Sequence, residues 1–272
     1  MKYQIVREKN GKYAIFDVDG NRISDLFDEI RKDGLVLRES NYYIAKKDGK
    51  EAIFDINGNR ISKWFDKIEP DGLVKGQSNL YIARENDKYA IFDKDGNQIS
   101  PDSFDRIEPY GLVRKESKYY IAEKNGKKAV FDVNGNQISP EWLDEIYSYG
   151  LVDRENDYYI GIKNGKQAIF DKYGNRITKW FDYILTYGLM ERQCDYYVAY
   201  DEYRFAVYHK NGQRVSDYFS LPLWLEDLCE VTFNENLGIV EFSYGNGITE
   251  IIEFTPLKQE TVDTATKISI EF

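Results

Sequence analysis

The sequence is poor in the residues that most enzymes and stapled domains depend on. Its 272 residues include one His, two Cys and two Met. Two cysteines cannot build a disulfide framework or a four-thiolate zinc site. One histidine excludes multi-His metal centres and leaves a single candidate for imidazole acid–base chemistry. No run approaches the 18 apolar residues of a membrane span, and the first residues, MKYQIVREKN, lack the apolar stretch of a secretory signal. The expectation is a soluble, cytoplasmic protein with no cofactor. Basic residues are outnumbered 37 to 47, a formal charge of −10, which argues against binding nucleic acid through its phosphates.

What is abundant is aromatic: 23 Tyr and 15 Phe. Their placement is periodic. Ile15-Phe16-Asp17 recurs as Ile53-Phe54-Asp55, Ile91-Phe92-Asp93, Val130-Phe131-Asp132 and Ile169-Phe170-Asp171, and in worn form as Val207-Tyr208-His209. The steps are 38 or 39 residues. Gly34-Leu35-Val36 returns four more times in phase, as do Tyr43, Tyr81, Tyr120, Tyr159 and Tyr197. An aromatic or apolar pair ending in Asp repeats at Asp28, Asp66, Asp105, Asp144 and Asp182. The two longer steps contain Pro101 and Pro140, each with one added residue.

Within a unit, β-branched and aromatic runs predict short strands. In the unit opening at Gly72, the expected strands are Leu73-Val74, Tyr81 to Arg84, Tyr89 to Phe92 and Asn97 to Ser100. Asn10-Gly11, Asp48-Gly49, Asn125-Gly126 and Asn164-Gly165 supply the positive φ angles of tight hairpins. The fold predicted is therefore all-β, a repeat array of antiparallel meanders. A six- or seven-bladed β-propeller is favoured, with an open β-solenoid as the alternative. The chain begins mid-unit, and a late strand such as Lys267 to Phe272 would complete the first sheet.

Two regions are expected. Residues 1–216 form the array, with the first unit incomplete and the sixth degenerate. Residues 217–272 form a divergent acidic unit or cap packed on it. The latter segment holds eleven acids against two lysines, −9, which leaves −1 on the array. It also predicts three strands, Cys229 to Phe233, Gly238 to Phe242 and Ile248 to Phe254.

The units resemble the bacterial WG-repeat (KWG) family. The shared elements are Gly-Lys before the third strand (Gly11-Lys12, Gly49-Lys50, Gly126-Lys127, Gly165-Lys166), the hydrophobic-Asp-x-x-Gly turn, the Phe27-Asp28-Glu29-Ile30 type of segment, and Gly-Leu-Val. The similarity spans about residues 1–220. It departs at the family's namesake, where this chain has Tyr13-Ala14, Glu51-Ala52, Tyr89-Ala90, Lys128-Ala129 and Gln167-Ala168. The resemblance implies a β-rich repeat architecture, a binding or scaffolding role, and no known catalytic residues.

The candidate chemistry is modest. Asp17, Asp19 and Asn21 have the oxygen spacing of a calcium loop, but no bidentate acid follows in register, so a hairpin turn is the better reading. The recurrent Asp after the aromatic is expected to cap a turn or bond the neighbouring unit, because an identical residue in every unit has a structural task. His209 replaces the turn Asp of the sixth unit. Cys194 and Cys229 read as reduced, small apolar residues. Cationic positions after Gly-Leu-Val, namely Arg38, Lys115, Arg154 and Arg192, lie beside acids and would form a band on one rim. With Trp224, Glu226 and Asp227 of the acidic segment, these are the candidate partner-binding residues. The expected function is non-catalytic: a rigid surface for a protein partner, basic if it docks on the acidic segment. The alternatives are a carbohydrate-binding module and, less favoured, an enzyme using a central channel.

Overall fold

The structure is a computed structural model describing residues 2–38, 40–191, 194–221 and 227–257. Seven antiparallel sheets follow one another along the chain. Sheet one pairs β1 (Tyr3–Arg7) with β2 (Tyr13–Asp17). Sheet two comprises β3 (Glu29–Ile30), β4 (Tyr42–Lys47) and β5 (Lys50–Asp55). Sheet three comprises β6 (Lys67–Ile68), β7 (Leu80–Glu85) and β8 (Lys88–Asp93). Sheet four comprises β9 (Arg106–Ile107), β10 (Tyr119–Lys124) and β11 (Lys127–Asp132). Sheet five comprises β12 (Glu145–Gly150), β13 (Tyr158–Lys163) and β14 (Lys166–Asp171). Sheet six comprises β15 (Tyr183–Ile184), β16 (Tyr196–Asp201) and β17 (Arg204–His209). Sheet seven comprises β18 (Leu228–Asn234), β19 (Ile239–Tyr244) and β20 (Thr249–Glu253). This is the predicted all-β architecture, one meander per repeat, and seven meanders fit the larger of the two expected blade counts. The chain divides into two compact units, Met1–Asp182 and Tyr183–Phe272. The proposed closing strand at Lys267 to Phe272 lies outside the described residues.

The alternation of side chains explains why successive sheets in the first unit stack. On sheet three, Tyr81 pairs with Phe92 and Ala83 with Ala90, while Ile82 and Ile91 point to the other face. The Tyr/Ala/Ala/Phe face packs on Ile44 and Ile53 of sheet two. The Ile82 and Ile91 face packs on Tyr120, Ala122, Ala129 and Phe131 of sheet four. Both faces of sheets two, three and four are therefore apolar and covered, which no isolated meander achieves. The Ala of the dipeptide that precedes each Ile/Val-Phe-Asp lies in this interface, buried at Ala52, Ala90, Ala129 and Ala168. In sheets two to five the Tyr ring stacks on its cross-strand Phe, as Tyr81 does on Phe92 at 5.5 Å. In the second unit, Val198 and Val207 of sheet six share one core with Val231, Val240 and Phe242 of sheet seven.

Two local expectations are corrected. Leu73-Val74 is not a strand. The Gly-Leu-Val segments are tight turns, helical at α1 (Leu112–Lys115) and α2 (Leu151–Arg154). The preceding glycine has positive φ (Gly72 83°, Gly111 77°, Gly150 105°), which turns the chain back so that the following Leu and Val enter the core from a bend. The first strand of each three-stranded repeat sheet is instead the segment around Asp-x-Ile. The expected fourth strand shrinks to one bridge, for example Phe92 with Gln98. There the Ser100 hydroxyl accepts the Ile91 N–H at 3.2 Å, and Pro101 follows.

The hairpins behave as predicted, with one variation. Asp48-Gly49, Asn125-Gly126 and Asn164-Gly165 are two-residue turns with both φ positive. Asn86-Asp87 and Glu202-Tyr203 adopt the same geometry without glycine. The first hairpin carries one more residue: Gln4 pairs with Phe16, twelve apart, where Tyr43 pairs with Phe54, eleven apart. The extra residue is absorbed by a wider loop in which the Gly11 N–H donates to the Glu8 carbonyl, so that Gly11 has positive φ but Asn10, contrary to expectation, does not.

Candidate functional site

The loops on one edge of the sheets are joined by a repeated link. Lys12 of the first hairpin is ion-paired with Asp28 at the entrance to sheet two. The other oxygen of Asp28 accepts the N–H of Asp48, in the next hairpin, at 2.8 Å. The pattern recurs through Lys50–Asp66–Asn86, Lys88–Asp105–Asn125 and Lys127–Asp144–Asn164, with amide distances of 2.6–2.8 Å. Lys166–Asp182, at 2.8 Å, is the fifth ion pair. The aspartate, at Asp28, Asp66, Asp105 and Asp144, thus caps the turn of its own meander and holds the lysine of the one before. Both tasks expected of it are met, and the Gly-Lys dipeptide is seen to exist for the same link.

These carboxylates sit below the ordinary carboxylate range, first because of the lysine and then because of the backbone N–H. A group whose folded pKa is depressed stabilises the fold above its unfolded pKa, and that contribution is lost as pH falls through the folded value. Asp66→Ala is expected to lower the melting temperature at pH 7. The gap to the parent should close as pH is taken below about 4. Thermal melts at pH 7, 4 and 2 measure this; a gap that persists unchanged at pH 2 would place the effect elsewhere.

The turn aspartates are equally engaged. Asp17 Oδ1 accepts the amides of Asp19 and Asn21 at 3.0 and 2.8 Å, and Oδ2 accepts the Asn21 side-chain amide at 3.1 Å. Asp55, Asp93 and Asp171 repeat the arrangement. This is the hairpin-turn chemistry preferred above over calcium ligation. At the sixth turn, His209 Nδ1 accepts the Asn211 N–H at 3.3 Å, so the histidine takes over part of the aspartate's role.

Of the candidate partner-binding residues, Arg38, Lys115, Arg154 and Asp227 are described. Arg38 is exposed. Lys115 pairs with Asp153 of the following repeat at 2.6 Å, rather than with its neighbour Glu116. Arg154 lies over the Tyr149 ring at 4.5 Å. Asp227 is exposed, its carbonyl accepting the Gly245 N–H. Arg192, Trp224 and Glu226 lie outside the described residues. Both cysteines are free. Burial pushes the Cys194 thiol up to about 12, which makes it a poor nucleophile at neutral pH.

Two features were missed from the sequence. The first is a set of latches across the clefts between neighbouring sheets. In three repeats a charged side chain two residues before the core aromatic or Leu meets an opposite charge at the end of the following sheet's second strand. The pairs are Lys63–Glu85 (2.6 Å), Asp102–Lys124 (2.7 Å) and Glu141–Lys163 (2.5 Å). The signs exchange between repeats, but complementarity is kept. Asp25 and Lys47 occupy the same two places and, among the described residues, make no ion pair with each other or with a third group. At that junction a groove of about 790 Å³ opens, lined by Asp25, Lys47, Lys50, Arg60 and Trp64, with Phe27 and Phe54 beneath. The signal was present as a swap of charge pairs 22 residues apart, which becomes visible only once the cleft is known.

The second is the outward face of sheet seven. Register places Glu230, Thr232 and Asn234 beside Ser243, Glu241 and Ile239, and these beside Thr249, Ile251 and Glu253. Val231, Val240 and Phe242 fill the opposite, buried face. The outward nine residues carry three acids and no base, with Ile251 57% exposed.

No family model matches the sequence, and no curated protein matches it. Among solved structures the chain is similar to a eukaryotic initiation factor, at 8% identity over 94% of this chain and 74% of that one, TM-score 0.44. It is also similar to Kluyveromyces lactis Hsv2p, at 13% identity over 95% and 96%, TM-score 0.34. A third is the β-propeller domain of Myceliophteria thermophila Cps50 (Swd1), at 11% identity over 93% and 94%, TM-score 0.31. TM-scores below 0.5 at such identities are too low to transfer a role. No helix of the described residues is long and apolar enough to cross a membrane.

Proposed function

We propose that the protein is a non-catalytic repeat scaffold, akin to the WG-repeat family it resembles, and that it docks a basic protein partner on the outward face of sheet seven. The observation that carries this reading is the face itself: Glu230, Glu241 and Glu253 around Ile239 and Ile251, without one compensating cation. Acidic side chains steer a basic partner, and the exposed isoleucine supplies apolar area that water would otherwise cover. The repeated aspartates support the same reading from the other side. Those of the links and turns are held by lysines and backbone amides, so they serve the frame rather than acid–base chemistry.

The test is affinity purification from the native host with the full chain and with the triple variant Glu230→Lys, Glu241→Lys, Glu253→Lys. A basic protein should co-purify with the parent and be lost from the folded variant, and raised salt should weaken its capture. Retention of the same partners by the variant would overturn the docking assignment.

A further inference from the structure

Of the features on the surface of the first unit, one breaks the repeat. Three inter-sheet clefts are latched by an ion pair, and the cleft between sheets one and two is not. The reason is geometric. Where an acid occupies this place and the latch closes, at Asp102 and Glu141, an inserted Pro101 or Pro140 lengthens the loop that carries it. Where the loop is short and the latch closes, the long Lys63 side chain spans the gap to Glu85. Asp25 combines the short loop with a short side chain. It is left facing a groove that also exposes Lys47 and Arg60.

The groove has three chemical properties. Its volume lies within the range of small-ligand sites. Its charged groups have both signs, Asp25 and Asp48 against Lys47, Lys50 and Arg60, so neither a strong anion nor a strong cation is selected. Its apolar lining is small and aromatic. Phe27 and Phe54 are buried, and the half-buried Trp64 indole is the main accessible ring, with the Arg60 guanidinium 5.9 Å from its centroid. A hydrophobic peptide anchor needs a deeper apolar pocket than this. A pyranose ring needs what is present. Its apolar face can lie on an indole, and its hydroxyls both donate and accept, matching the Asp25 carboxylate and the Lys47 ammonium, which make no ion pair among the described residues, while Lys50 is held by Asp66.

We propose that the cleft between sheets one and two, defined by Asp25, Lys47, Arg60 and Trp64, is a binding site for a neutral oligosaccharide. It lies in the first unit, whereas sheet seven belongs to the second.

The probe is a printed array of neutral glucans, xylans, mannans and chito-oligosaccharides, followed by calorimetric titration of the best binder into the full chain. Three variants accompany it. Lys47→Ala removes one donor. Trp64→Ala removes the platform. The double variant Asp25→Lys with Lys47→Glu keeps the net charge and reproduces the Lys63–Glu85 latch that the chain already makes on a short loop. Saturable binding to the parent, with at least a tenfold loss in the double variant and in Trp64→Ala, is the expected result. Should Trp64→Ala fail to fold by circular dichroism, the double variant carries the comparison. The proposal is overturned if no neutral glycan binds, or if binding survives in the folded, latched double variant.

Discussion

Gly72→Ala is expected to be the most damaging conservative substitution in the first unit, costing more than about 3 kcal/mol of stability. Two effects combine. At φ +83° an alanine is strained by roughly 1–2 kcal/mol. The added Cβ would also stand 2.1 Å from the Leu80 carbonyl oxygen and 2.8 Å from a Val113 methyl of the next repeat. That carbonyl is held in place because it accepts the Leu73 N–H at 2.7 Å, and the valine is buried, so neither can yield cheaply. Gly49 is the internal control. It has nearly the same φ, +80°, but nothing within 4 Å of its Cβ position. Gly49→Ala should show the conformational cost alone. Urea unfolding of the two variants separates them. Equal midpoints would mean that the turn relaxes and the close approach is unimportant.

Phe104→Ala is expected to cost about 3–5 kcal/mol, the range for deleting a buried aromatic. Phe104 is 1% exposed and sits in the cluster formed by Ile82 and Ile91 of one sheet and Tyr120 and Phe131 of the next. Its ring centroid lies 5.2 Å from that of Phe131 and 6.4 Å from that of Trp142. The cavity would open in an interface between sheets, not inside one. The unfolding midpoint should fall while the transition of the first unit stays single, since no meander is stable with one face bare. A loss below about 1 kcal/mol would show that the neighbouring sheets close the gap.

Much of the architecture was legible because the repeat wrote it many times. A Tyr facing a Phe, and an Ala facing an Ala, at fixed distance around a two-residue turn fix the register of β7 and β8 and of their counterparts. The structural task of Asp66 was readable from its recurrence alone. The Gly-Leu-Val segment misled for a physical reason. Leu73 and Val74 are buried β-formers, and single-sequence reasoning assigns such a pair to a strand, although burial is satisfied equally by a turn whose glycine has positive φ. The candidate sites were harder. Arg38, Lys115 and Arg154 were chosen for being in phase, and phase is a property of the frame. The groove at Trp64 is marked by the opposite, a pair that occupies the phased places and does not close. The acids of sheet seven were visible as composition, but only the pairing of β18, β19 and β20 puts Glu230, Glu241 and Glu253 on one side.

The lysine–aspartate–amide links also bear on how such a chain can change length. Lys50 and Asp66 are 16 residues apart, and Asp66 and the Asn86 amide 20, so every link reaches into the adjoining repeat. Excising one complete period, from a point in one repeat to the equivalent point in the next, rejoins a lysine to an aspartate of the same kind and leaves no link half made. Excising any other length strands an acid or an amide at the join. Gain and loss of whole repeats by unequal recombination is therefore tolerated by the chemistry of the rim, whereas small insertions must be absorbed where no link is anchored. The residues added at Pro101 and Pro140 are of that kind.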